Sequence, residues 1–198
     1  MAKIIDLKDI DIKPGDVIAF SGSTPVSDLI NIVTYGIPRF GISHVGIMGE
    51  DTNDRLLLWE STTLDTLPCE IQGKVFNGSQ AHSLDAVLKG YKGRVSLFRL
   101  YRELYDAENQ RLTEYLMETV GTPYDTMGAM RSAGVGLSWI ESLLPEHALS
   151  NVYCSEWVSE ALENIGVCPA GHFNRYNPNR LIRRLKKSNV ICRPVRLK

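Results

Sequence analysis

The spacing of apolar residues changes once along this chain, near residue 105. Before that point the apolar runs are short and sit between turn signals. Lys13-Pro14-Gly15-Asp16 reads as a turn, and Val17-Ile18-Ala19-Phe20 after it as a buried strand. Pro25 to Tyr35 fits a short helix capped by Ser27 and stopped by Gly36. His44–Met48 and Arg55–Glu60 predict a strand–turn–strand pair across residues 49–54. Arg94–Leu100 alternates as a further strand, while 82–90 fits one helical turn or two.

After Tyr105 the period becomes helical. Leu112, Tyr115, Leu116 and Thr119 give Asp106–Val120 one apolar face, which Gly121 ends. Thr122-Pro123-Tyr124-Asp125 is a turn. Residues 127–144, rich in Gly, Met, Leu and Trp, fit a helix pair or an irregular insert. Asn151–Ile165 predicts a helix with Trp157, Val158, Ala161 and Leu162 inward and Gly166 past its end. Asn179–Lys187 is a basic helix, and Val190–Cys192 is expected to return as a last strand. With no repeat and no low-complexity linker, the pattern predicts a single α+β domain over residues 1–198.

Composition then narrows the classes. Hydrophobic residues make up 43% of the 198 and charged residues 23%, which suits a packed core. No apolar stretch approaches the roughly 18 residues of a membrane span. The alternating start, Met-Ala-Lys-Ile-Ile-Asp-Leu-Lys-Asp, lacks the apolar region of a secretory signal, so a cytoplasmic location is expected. The net charge of -1 hides a split: residues 180–198 hold eight Lys or Arg and no acid, leaving 14 basic against 23 acidic side chains before them. Arg180, Arg183, Arg184, Lys186 and Lys187 read as the wet face of the last helix. No stacking aromatics follow Tyr176, which argues against nucleic acid. Cys69, Cys154, Cys168 and Cys192 form no CxxC or CxxH pair, so neither a zinc ribbon nor a thioredoxin-like site is expected. In a reducing compartment the default for each is a small buried hydrophobe.

Cys154 fits that default as a thiol packed under a helix, and it also has a second reading. It falls at or just inside the expected start of the 151–165 helix, where the positive end of the helix favours a thiolate. Unpaired first-turn N–H groups would also stabilise an oxyanion beside the sulfur. A nucleophile needs a base. His44 opens a strand, with Gly46 allowing a close neighbour, and is either that base or a histidine on the strand's wet face, whereas His82, His147 and His172 read as solvent-facing. Glu60, after the apolar run Leu56–Trp59, is either a solvated strand end or the carboxylate that orients the imidazole.

In order, Gly15-Asp16-Val17, Ser43-His44-Val45-Gly46-Ile47, Glu60-Ser61, Gly121-Thr122-Pro123-Tyr124-Asp125 and Tyr153-Cys154-Ser155-Glu156 resemble the circularly permuted NlpC-type papain-like amidases, most closely their YaeF/YiiX-like branch. The resemblance spans roughly residues 13–185, and the histidine precedes the cysteine as in the permuted members. It implies a permuted papain-like fold, a small antiparallel sheet or barrel packed against helices. Its catalytic cysteine falls on Cys154, its base on His44 and its polar third residue on Glu60. Tyr124 falls beside the cleft, with Tyr153 and Ser43 as further substrate-binding or oxyanion candidates. Neither a cofactor nor a metal is implied. The stretch 127–150 is longer and more apolar than the family pattern.

Three functions follow from these residues. The first is a cysteine amidase or peptidase acting on small peptides, of which cell-wall peptides are the family's usual kind. The second is a lipid-directed acyltransferase or thioesterase with an acyl groove between Met127 and Leu144, a stretch that equally fits core and lid packing. The third is an idle binding module on the same fold. Oligomeric state is left open.

Overall fold

The computed structural model describes residues 10–22, 41–62, 66–123, 146–168 and 177–198, with backbone alone for 146–153. The expected helix at 25–35, the 127–144 stretch, Tyr124, His172 and the side chains of Tyr153 and His147 lie outside the described residues. Within them the chain forms six strands: β1 (Val17–Ser21), β2 (His44–Glu50), β3 (Leu56–Thr62), β4 (Gly78–His82), β5 (Arg94–Phe98) and β6 (Val195–Arg196). The helices are α1 (Leu84–Gly90), α2 (Asp106–Thr119), α3 (Glu146–Asn164) and α4 (Pro178–Lys187).

All neighbouring strands run antiparallel in the order β4-β3-β2-β1-β5-β6. The two ends of this order do not pair with each other, so the sheet is open and not a barrel. Alternation sends successive side chains to opposite faces. Val17, Ala19, Val45, Ile47, Trp59 and Phe98 meet Leu112 and Leu116 of α2, Trp157 and Leu162 of α3, and Leu181 and Leu185 of α4. The opposite face sends Ile18, Phe20, Met48, Leu58, Val95 and Leu97 against Leu84 and Leu88 of α1. The sheet is therefore buried on both sides, which explains why Val17–Phe20 in β1 and Leu56–Trp59 in β3 read as continuous apolar runs.

The Gly-Asp-Val segment is a structural staple. Gly15 holds a positive φ of 87°, which suits glycine in the turn. Asp16 accepts hydrogen bonds from the Lys13 and Leu100 N–H groups, both at 3.0 Å, and so ties the start of β1 to the end of β5. Burial holds its carboxyl up at about 6, against backbone hydrogen bonds that pull it down. Gly46 lets β2 and β3 approach: a Cβ there would sit 2.8 Å from both the Trp59 carbonyl oxygen and a Leu58 methyl, and 3.3 Å from the Glu60 Cβ.

Three expectations change. His82 ends a strand and is buried, because β4 pairs with β3 and its other edge takes the loop after α2 through a Gly78–Pro123 bridge and the Gly121 N–H to Ser79 bond. Val190–Cys192 forms no strand of its own: it pairs beside Leu100 through a bridge at Ile191, with the Tyr101 N–H donating to the Val190 carbonyl and the Cys192 N–H to the Arg99 carbonyl, and the last strand is Val195–Arg196. Helix α3 begins at Glu146, about two turns upstream of Cys154, so Cys154 is not in its first turn. Helix α4 matches its sequence signals, with Asn177 accepting from the Arg180 N–H at 2.9 Å and Pro178 in the first turn. Its Arg180, Arg183, Arg184, Lys186 and Lys187 are exposed while Leu181, Ile182 and Leu185 are buried.

Candidate active site

His44 is the first residue of β2, and the chain just before it is held from two sides. The Asn179 amide of α4 grips both backbone groups of Ile42, accepting from its N–H at 2.9 Å and donating to its carbonyl at 3.1 Å. Ser43 donates its hydroxyl to the Phe20 carbonyl, accepts from the Gly22 N–H (both 3.2 Å) and meets the Tyr91 hydroxyl. With its oxygen so engaged, Ser43 anchors the strand end on which the imidazole stands. The ring lies 5.5 Å from that of Phe20, which in turn takes Tyr91 edge-on at 5.0 Å.

The imidazole links two of the other candidates. Its Nε2 lies 2.6 Å from Glu60 Oε2, and the same ring is hydrogen-bonded to Cys154. Since Glu60 takes Nε2, the Nδ1 side is left for the thiol. Cys154 is fully buried on α3, Glu60 has 7% of its side chain exposed and His44 has 14%, so the imidazole is the most exposed of the three. All four cysteines carry thiols and none is in a disulfide.

Glu60 carries a second partner that the sequence reading did not find. His82, opposite Leu58 on β4, places Nδ1 3.1 Å from Glu60 Oε1, so the carboxylate sits between two imidazoles. Its neighbourhood reads as polar loop, Asn-Gly-Ser-Gln-Ala-His-Ser, and hydrophobic periodicity has no signal for a strand buried through polar residues. The anchoring role of Asn179 was also missed, as an amide in a helix's first turn has no distinctive pattern.

Desolvation by itself would lower the His44 pKa. The charge of Cys154, the hydrogen bond to it and Glu60 overcome this and raise it from 6.5 to about 10. Burial would likewise raise Glu60, but the hydrogen bonds from His44 and His82, with their charges, bring it from 4.5 to about 2. An ionised Glu60 only accepts, so both imidazoles donate to it. The raised His44 pKa contributes stability fully below pH 6.5 and loses it as pH climbs through about 10. The depressed Glu60 pKa contributes fully above pH 4.5 and loses it as pH falls through about 2. The thermal stability margin of the wild type over Glu60→Gln is therefore expected to be widest between pH 4.5 and 6.5 and to narrow on both sides. Unfolding midpoints measured across pH check this, and a margin independent of pH would contradict it.

The oxyanion donor expected from the first turn of α3 is not provided by the Cys154 N–H. A residue two turns into a helix lies beyond the first four N–H groups, which alone lack an intrahelical partner. Among the described residues no group of three or more His, Cys, Asp or Glu side chains is placed to hold a metal ion. No described helix is long and apolar enough to cross a membrane.

No family model matches the sequence, and no curated protein matches it. Among solved structures the chain is similar to the crystal structure of metalloprotein yiiX from Escherichia coli O157:H7. The identity is 20% and the TM-score 0.48, over 89% of this chain and 81% of that one.

Proposed function

We propose that this chain is a cysteine hydrolase of the permuted papain-like kind, cleaving amide bonds of small peptides through a thioacyl intermediate on Cys154. The observation that supports it is the hydrogen-bonded run from Cys154 through His44 to Glu60, with an imidazole whose pKa is raised by the sulfur's charge. In the reaction the Cys154 thiolate attacks the amide carbonyl carbon, and the carbonyl electron pair moves onto oxygen. Collapse of that adduct breaks the C–N bond, and the leaving amine takes the proton held on His44. Water then gives a proton back to His44 as its oxygen attacks the thioester. Thiolate departs and the carboxylic acid is released. Glu60 keeps the ring oriented and its charge balanced throughout. Tyr124, next to Pro123 in the sequence, is the proposed donor to the oxyanion, and Tyr153 the proposed substrate contact, next to Cys154 in the sequence. Cell-wall-derived peptides are the proposed substrate group, and a cytoplasmic location the proposed setting.

Challenge with short peptides containing isopeptide links, alongside acyl esters, tests the reading, with intact-mass detection of an acyl group on Cys154. Peptide cleavage with a transient Cys154 adduct is expected. Release from the esters alone would replace the peptide reading with the acyl-transfer one. Turnover of neither class, with no adduct, would leave a binding module.

A further inference from the structure

We infer that His82 is a positioning residue of this site: by donating from Nδ1 to Glu60 Oε1 it holds the carboxylate against His44 and so governs the protonation of the imidazole that faces Cys154. The inference rests on the proposed cysteine-hydrolase reading for its consequence in catalysis, though not for the coupling itself.

The geometry singles His82 out. It is 3% exposed, at the end of β4, and Glu60 Oε1 at 3.1 Å is the one hydrogen-bond partner of its side chain among the described residues. Its Nε2 is buried and meets no partner. A buried imidazole with half its hydrogen-bonding capacity unused is a poor way to fill a sheet, because an aliphatic side chain would leave nothing unsatisfied. The bond to Glu60 is what the histidine provides in exchange. Glu60 in turn spends one oxygen on each histidine, 2.6 Å to His44 and 3.1 Å to His82, so the second bond fixes the direction of the first. Without the His82 donor the carboxylate would keep only His44 and be free to rotate.

The groups that bear on the His44 charge are then few. Cys154 faces it from α3 and Glu60 from β3. Glu60 is faced by His44 from β2 and His82 from β4, and its charge also reaches Tyr91, just past α1. Of the groups that reach His44 only through Glu60, His82 is the one hydrogen-bonded to the carboxylate.

Amide replacements isolate the donor. The side-chain nitrogen of asparagine falls where the histidine Nδ1 lies, whereas that of glutamine falls near Nε2, away from Glu60. The full-length His82→Asn and His82→Gln proteins, labelled with isotopic histidine, are titrated by NMR while the His44 ring resonance is followed. Alkylation of Cys154 by iodoacetamide is timed over the same pH range. The His44 midpoint is expected to stay at the wild-type value in His82→Asn and to fall by about one pH unit in His82→Gln. The alkaline limb of the alkylation profile is expected to move with it. Equal midpoints in all three proteins, or an equal fall in both variants, would overturn the inference. A midpoint that moves as expected while Cys154 alkylates no faster than Cys168 would overturn the hydrolase reading and leave the coupling intact.

Discussion

Replacing His44 by glutamine is expected to slow acylation of Cys154 by about 10²–10⁴-fold, the range a positioned acid–base group supplies. Glutamine is a better probe than alanine here. Its side-chain nitrogen falls near the position of the imidazole Nε2 and can still donate to Glu60 Oε2, so a buried carboxylate is not stripped of a partner. What it cannot do is take up and return a proton beside Cys154. The rate of adduct formation, followed by mass spectrometry with Cys154→Ala as the blank, measures the loss. Cys69 and Cys168 are buried within the same core and serve as internal references for thiols away from His44. Wild-type acylation in the His44→Gln protein would remove His44 from the mechanism.

The largest expected loss of stability comes from Trp59→Ala, about 3–5 kcal/mol by analogy with other buried aromatic truncations. Trp59 is fully buried, pairs with Ile47 across β2 and β3, and lies in the core shared with α2, α3 and α4. Its indole N–H donates to the Gly49 carbonyl at 2.9 Å, so truncation also leaves a buried acceptor without its donor. Gly49 exists to allow this packing: a Cβ there would stand 2.3 Å from a Leu116 methyl and 3.4 Å from the indole. For a chain of this length the loss corresponds to a melting temperature lower by roughly 6–20 °C. Trp59→Phe, which keeps a ring and loses the hydrogen bond, is expected to fall between the two. Thermal unfolding followed by circular dichroism checks the order. The consequence reaches the site, because this core seats the helix that carries Cys154 against the hairpin that carries His44 and Glu60.

Much of the framework was legible because apolar periodicity reports burial directly. Val17–Phe20, His44–Met48 and Arg55–Glu60 each overlap a strand that runs one or two residues further, Arg94–Leu100 contains one, and 106–120 and 179–187 each locate a helix within a residue or so. Strand β4 was not legible. Gly78-Ser79-Gln80-Ala81-His82 is buried throughout, yet only one of its five residues is an apolar side chain. Its polar groups bond to neighbours distant in sequence, Ser79 to the Thr119 carbonyl and His82 to Glu60, so nothing local betrays them. The start of α3 was misplaced for a related reason. Asn151 has the chemistry of a cap, but the helix runs through it from Glu146.

By itself the sequence determined that short buried strands fill the chain before residue 105 and longer amphipathic helices the part after it, in one α+β domain, since hydrophobic spacing is a local property of the chain. It also singled out Cys154, His44 and Glu60 as a set, through residue types in a familiar order. Only the tertiary structure decided that His44 and Glu60, 16 residues apart, stand 2.6 Å from each other, that Cys154 meets the same ring, and that His82 completes the carboxylate's coordination. These are facts of register and helix docking. They depend on which strand pairs with which and at what offset, and no spacing along the chain encodes that alone.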